Sequence, residues 1–228
     1  MGRSWRQTPG RPPFPEIYGA LMTSLPVLDP SRFLADGFDL SAQLARFLNL
    51  SLEQLAERLP TSTDDLAAIH PGAFDPNQAG AFYEDTVGTA HLLELAAWHL
   101  GSADYIADTL RLQERFASGH VLDFGGGIGS HALAAAALPQ VEGVWFVDLN
   151  PHNRAFVAER AQQLGLADRL RCFRDLDDPG LPAHFDTIVC LDVLEHLADP
   201  AAQLELFAQR MHPDAMALLN WYFFQGFA

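Results

Sequence analysis

The run Val121-Leu122-Asp123-Phe124-Gly125-Gly126-Gly127-Ile128-Gly129 constrains this chain more than any other. Its apolar start predicts a buried strand, and the glycines after it predict a turn too tight for residues that carry a Cβ. Alanine-rich Ser130–Leu138 follows with the composition of a helix. Strand, glycine turn and helix in succession point to a parallel α/β sheet covered on both faces. A glycine backbone can press against a ligand, and the next helix offers unpaired N–H groups to a carboxylate or phosphate.

The texture after His120 agrees. Apolar runs at Val121–Phe124, Val144–Val147, Leu170–Phe173, Thr187–Leu191 and Ala215–Phe224 alternate with helical segments near Ser130–Leu138, Pro151–Leu164 and Pro200–Met211. Asn150-Pro151 and Asp199-Pro200 each place a capping side chain before a proline at the first helical position, and Gly165 marks a stop. The expected class is α/β, a doubly wound, mostly parallel sheet preceded by a helical N-terminal region.

Upstream, three divisions are expected: an extended arm over 1–30, a helical region over 31–118, and the sheet domain over 119–228. Six prolines disfavour regular structure in the arm. Leu40, Leu44, Phe47 and Leu48 recur at helical spacing, Ser51 and Gln54 form a capping box, and a short helix follows Thr63 until His70-Pro71-Gly72. A long helix is expected over Gly80–Leu100, stopped by Gly101, with another, capped by Ser102, running to Ser118 and stopped by Gly119. These short helices suit packing or homodimer formation better than DNA binding. His91 and Glu94 are one turn apart, yet no second histidine lies one turn away, so no metal site is expected.

Charge narrows the partners. With 14 Lys+Arg against 29 Asp+Glu the net charge is −15, which repels phosphate backbones, and nucleic acid is not expected. No apolar run approaches the roughly 20 residues of a membrane span, and the first residues lack a signal-peptide core. A soluble, cytoplasmic protein is expected. Cys172 and Cys190 fall in predicted buried strands, where they act as small apolar residues and stay unpaired.

Taken alone, the glycine loop is ambiguous, because Gly127-x-Gly129-x-x-Ala132 also fits a dinucleotide fingerprint. An NAD(P)-dependent oxidoreductase is therefore the competing enzyme class. Asp123 argues against it: an acid just before the glycines is unfavourable beside a pyrophosphate and suits an ammonium. Asp148 closes the next strand, where a carboxylate can accept both ribose hydroxyls. Asp175 closes the third, in reach of an adenine amino group. Phe185-Asp186 then opens a fourth strand that runs into Val193-Leu194-Glu195-His196-Leu197.

These four blocks, in this order over about residues 115–224, resemble the class I S-adenosylmethionine (SAM)-dependent methyltransferases. The resemblance implies strand order 3-2-1-4-5 with SAM across the carboxyl ends of the strands. It implies that Asp123, Gly125, Gly127 and Gly129 flank the methionyl group, that Asp148 holds the ribose, and that Leu149 and Leu176 sandwich an adenine met by Asp175. The helical region before the core would act as a lid over a small-molecule acceptor. Family members finish the sheet with an antiparallel hairpin that has no counterpart before Ala228, so a fragment of a longer protein is expected. His196 and Asp192, just beyond the fourth strand, are the candidate catalytic pair, with His196 as base if the acceptor must lose a proton. His131, in the first turn after the glycines, is similarly placed. A SAM-binding scaffold without turnover is the non-enzymatic alternative.

Overall fold

A computed structural model describes residues 39–69 and 75–222. The 1–30 arm, the His70-Pro71-Gly72 stop and Phe223-Phe224 lie outside the described residues. Helix α1 (Leu40–Phe47) is capped by Asp39, whose carboxylate accepts from Ala42 N at 3.2 Å. The box expected before α2 (Leu52–Arg58) is complete, with Gln54 N donating to Ser51 Oγ at 3.1 Å and Ser51 N to Gln54 Oε1 at 2.8 Å. Helix α3 spans Ser62–Ile69.

The single helix expected over Gly80–Leu100 is instead two pieces. A helical turn at Ala79–Ala81 widens into one π turn, Phe82–Thr86, closed by Val87 N donating to Phe82 O at 3.1 Å. Gly88 then takes a left-handed conformation, φ +53°, which breaks the helix before α4 (Ala90–Gly101). Helix α5 (Ala103–Phe116) follows; Ser102 makes no capping bond, contrary to expectation.

The strands are β1 (Gly119–Phe124), β2 (Val141–Val147), β3 (Leu170–Phe173), β4 (Phe185–Cys190) and β5 (Met211–Leu219). They form one sheet in the order β3-β2-β1-β4-β5, every neighbouring pair parallel. Between them lie α6 (Ser130–Ala137), α7 (Pro151–Gln163) and α8 (Pro200–Gln209). The expected caps are present: Asn150 Oδ1 accepts from His152 N at 2.8 Å, and Asp199 Oδ1 from Ala202 N at 2.9 Å. Gly165, φ +70°, ends α7, and Leu166 N returns to Ala161 O at 2.7 Å.

Strand β5 departs from its expected range. It begins at Met211 and ends at Leu219, and so includes His212-Pro213-Asp214. A proline is tolerated because β5 is an edge strand whose register shifts between Phe185 and Thr187 of its partner. The cysteines sit as expected, on β3 and β4 with β2 and β1 between them, and neither is paired.

Alternation along the strands fills both faces. Val121, Val144, Phe146 and Val189 pack under α6 and α7, while Leu122, Trp145, Ile188 and Phe207 fill the other side. A third cluster joins Leu40, Leu44, Leu55, Leu92 and Ala96 of the helices to Ile128 and Phe156. The helical wall is thereby seated on the glycine turn.

Candidate functional site

The carboxyl ends of β1 to β4 meet the helical wall around a cavity of about 610 Å³. Asp123, Gly125, Gly127, Asp148, Leu149, Asp175, Leu176, Asp192 and His196 all line it. Gly129 does not. It is the N-cap of α6 at φ +74°, and a Cβ there would meet Val157 Cγ2 at 2.5 Å, so its glycine serves helix packing. Gly126, passed over in the sequence, does line the cavity, and a Cβ on it would lie 2.5 Å from Asp123 Oδ2.

Asp123 is the electrostatic centre of the site. Its side chain is buried, and Oδ2 has no hydrogen-bond partner among the described residues. Burial, then the charge of Asp148, pushes its carboxyl up to about 7, while the Ala132 N–H works in the other direction. An orphaned buried carboxylate oxygen in a cavity wall fits the ammonium of a methionyl group. The residues present therefore suit SAM at this end.

Asp148 is buried and pushed up to about 6, chiefly by that burial. Its Oδ2 accepts from Gly127 N at 2.9 Å, and its Oδ1 from Asn150 N at 2.8 Å and Asn153 Nδ2 at 3.2 Å. A carboxylate offers about four acceptor positions, and three are taken by the protein. The side chain thus anchors the glycine turn as well as facing the cavity, and a two-hydroxyl grip on ribose requires one of those bonds to yield. Asp175 is also engaged, its Oδ2 2.5 Å from Arg174 Nη1 and its Oδ1 accepting from Asp177 N at 3.0 Å.

At the end of β4 the two residues of the expected catalytic pair sit in different settings. Asp192 adopts φ +56°, unusual for a residue with a side chain. Tyr105 Oη donates to its Oδ2 at 2.8 Å, Asn220 Nδ2 donates to its Oδ1 at 2.8 Å, and its own N–H donates to Asn220 Oδ1 at 2.5 Å. Each oxygen accepts one hydrogen bond, so Asp192 ties the loop after β4 to Tyr105 and Asn220. His196 ends a short 3₁₀ turn, Leu194–His196, with its ring edge-on to Tyr83 at 6.3 Å. His131 is buried and bonded through Nε2 to Thr109 Oγ1 at 2.8 Å, and burial lowers it to about 4.

The helical wall supplies further lining residues, of which Tyr83 and Trp98 were not among the sequence candidates. Tyr83, Leu95, Trp98 and His99 line the cavity, as do His91 and Glu94. His91 accepts from Asn153 Nδ2 at 3.2 Å through Nδ1, and burial lowers it to about 4. Glu94 is shifted upward by burial. The spacing of 91, 94, 95 and 98 on α4 was a usable signal, since these positions share one helix face.

Residues 97–222 match the methyltransferase-domain family. A Synechococcus protein described as uncharacterized is 34% identical over 119 residues, 51% of this chain and 28% of its own length. A ubiquinone biosynthesis O-methyltransferase from Psychrobacter arcticus is 33% identical over 106 residues, 44% of this chain and 39% of its own. Among solved structures, SAM-dependent methyltransferases from Geobacter sulfurreducens and Thiobacillus denitrificans, both in complex with S-adenosylhomocysteine (SAH), align with TM-scores of 0.41 and 0.42. Their identities are 22% and 21%, and each alignment covers 49% of this chain and 47% of the other. The chain belongs to the methyltransferase-domain family, and its 3-2-1-4-5 sheet is that of the class I, SAM-dependent members. It spans less than half the length of the curated relatives it matches.

Proposed function

We propose that this chain transfers a methyl group from SAM to a small-molecule acceptor. The observation that carries the reading is Asp123, a buried carboxylate with an unpartnered oxygen at the mouth of a glycine turn, facing a cavity large enough for cofactor and acceptor together. In this reading Asp123 takes the methionyl ammonium, and Gly125 and Gly127 let the backbone approach it. Asp148 takes the ribose, Leu149 and Leu176 flank the adenine, and Asp175 meets its amino group.

SAM, when bound, supplies an electrophilic methyl on its sulfonium. The protein's part is to hold an acceptor in line with that methyl and to exclude water. The helical wall does this with Leu95, Trp98 and His99 facing the strand ends. The relatives from Psychrobacter bear the name O-methyltransferase, which favours a hydroxyl acceptor here too. His196 then removes the hydroxyl proton through a ring nitrogen, while Asp192 keeps the loop that carries it in place.

The same reading divides the chain into a helical region through residue 118 and a cofactor-binding region after it, places it in the cytoplasm, and lets two copies associate through the helices. Among the described residues no helix is long and apolar enough to cross a membrane. Calorimetric titration with SAH and with NADH tests the cofactor. Micromolar or tighter SAH binding without NADH binding is expected, and the reverse would return the chain to the oxidoreductase class. Turnover against a panel of phenols separates an enzyme from a binding scaffold.

A further inference from the structure

We propose that Tyr83 covers bound SAM, carried on a strap over residues 79–88 that the Arg174–Glu84 ion pair latches to the end of β3. The proposal rests on the reading of the cavity as a SAM site. The strap is held at two places, both on strand ends assigned to the nucleoside. Arg174 grips Glu84 with two bonds of 2.6 Å, from Nε and Nη2, and Arg174 precedes Asp175. Asn150 Nδ2 donates to Gly88 O at 3.0 Å, and the backbone N–H of the same Asn150 donates to Asp148. One pin is therefore at the adenine end and the other at the ribose end.

Tyr83 lies between the pins. Its ring lines the cavity, 5.1 Å from the His91 ring and 6.3 Å from that of His196. Burial and the charges of Glu94, Asp148 and Glu195 push its hydroxyl up to about 12, so it remains a phenol able to donate to an oxygen. The π turn suits this arrangement, because consecutive residues point apart: Tyr83 faces the cavity while Glu84 faces Arg174. Such turns recur at functional sites. Gly88 is left-handed, and a Cβ there would have no atom within 4 Å, so the strap joins α4 through an uncrowded joint.

The latch is exposed, with 51% of the Arg174 side chain and 27% of the Glu84 side chain open to solvent. An ion pair in that position is weak and is screened by salt. It holds the strap down without locking it, so its influence falls mainly on the rate at which ligand escapes.

The test is the dissociation rate of SAH from the full chain, followed by stopped-flow displacement in the parent, Glu84→Gln, Tyr83→Phe and Tyr83→Ala. Glu84→Gln should release SAH about 5-fold faster, the scale of one exposed bidentate pair, with the ligand-free thermal midpoint unchanged. Raising salt should speed release from the parent and leave Glu84→Gln unaffected. Tyr83→Ala should release at least about 10-fold faster, with Tyr83→Phe between it and the parent, as expected for a lost ring and a lost donor. The proposal is overturned if SAH binds the parent and leaves Glu84→Gln at the parent's rate, or if the excess is indifferent to salt. A parent that does not bind SAH at all overturns the reading of the cavity, and the strap's role with it.

Discussion

Asp123→Asn separates what the buried carboxylate does for the fold from what it does for the ligand. In the folded protein this carboxyl ionises near 7, against 3.8 for a free one. Between those values the folded chain keeps a proton that the unfolded chain has released. The parent's stability therefore falls as pH rises from about 4 to about 7, and stays low above that. The displacement corresponds to an upper limit of roughly 4 kcal/mol between protonation states, most of it from burial and the rest from the charge of Asp148. An asparagine carries no charge at any of these pH values, although its amide inherits the unpartnered position of Oδ2 and gives back about 1–3 kcal/mol. The net gain at pH 8 should be about 1–2 kcal/mol, or about 2–8 °C in thermal midpoint for a chain of this size. Near pH 4 the charge relief is gone and only the amide's cost remains, so Asp123→Asn should there be less stable than the parent by about 1–3 kcal/mol. Affinity moves in the opposite sense: the parent should bind SAM more tightly as pH rises through 7, while Asp123→Asn binds weakly throughout. Thermal denaturation at half-unit pH steps, with and without SAH, supplies both curves. A midpoint difference that does not vary with pH would refute the argument, because it would mean that Asp123 is charged and satisfied throughout.

Two further outcomes are expected. Asp148→Ala should weaken SAH binding at least about 10-fold by calorimetry, each charge-assisted bond being worth about 1.5–3 kcal/mol. It should also lower the thermal midpoint, because Gly127 N, Asn150 N and Asn153 Nδ2 lose their acceptor. Gly127→Val should abolish SAH binding, since φ is +56° and its Cβ would meet Leu95 Cδ1 at 2.9 Å, whereas Gly101→Val, with nothing within 4 Å of the added carbon, should leave SAH affinity at the parent value.

The parts of this fold legible in the sequence are those whose cause is local. Asn150-Pro151, Asp199-Pro200 and the Ser51–Gln54 box each announce a helix start within a few residues, and all three caps form. The glycine run was legible because the residues around it share one strand–turn–helix unit. What could not be read depends on distant pieces. Gly88 breaks a stretch whose composition is helical throughout, and its carbonyl is met by Asn150, 62 residues on. Nothing near Asp192 foretells that Tyr105 and Asn220 each hydrogen-bond one of its oxygens. Tyr83 was missed because its relevance comes from Arg174, 90 positions from its neighbour Glu84.

Arg160 gives the helical wall a further meaning. This guanidinium is almost wholly enclosed, donating to Gln43 Oε1 at 2.6 Å on one side and to Ile128 O at 2.8 Å on the other, over the ring of Phe156. A cation inside a protein is tolerated only while its acceptors remain. Helix α1 is therefore constrained at Gln43 by a residue 117 positions away. Any replacement would have to carry an oxygen to the place of Gln43, or else mutate together with Arg160. Change in the helical wall is in that sense tethered to a single position on α7, behind the glycine turn.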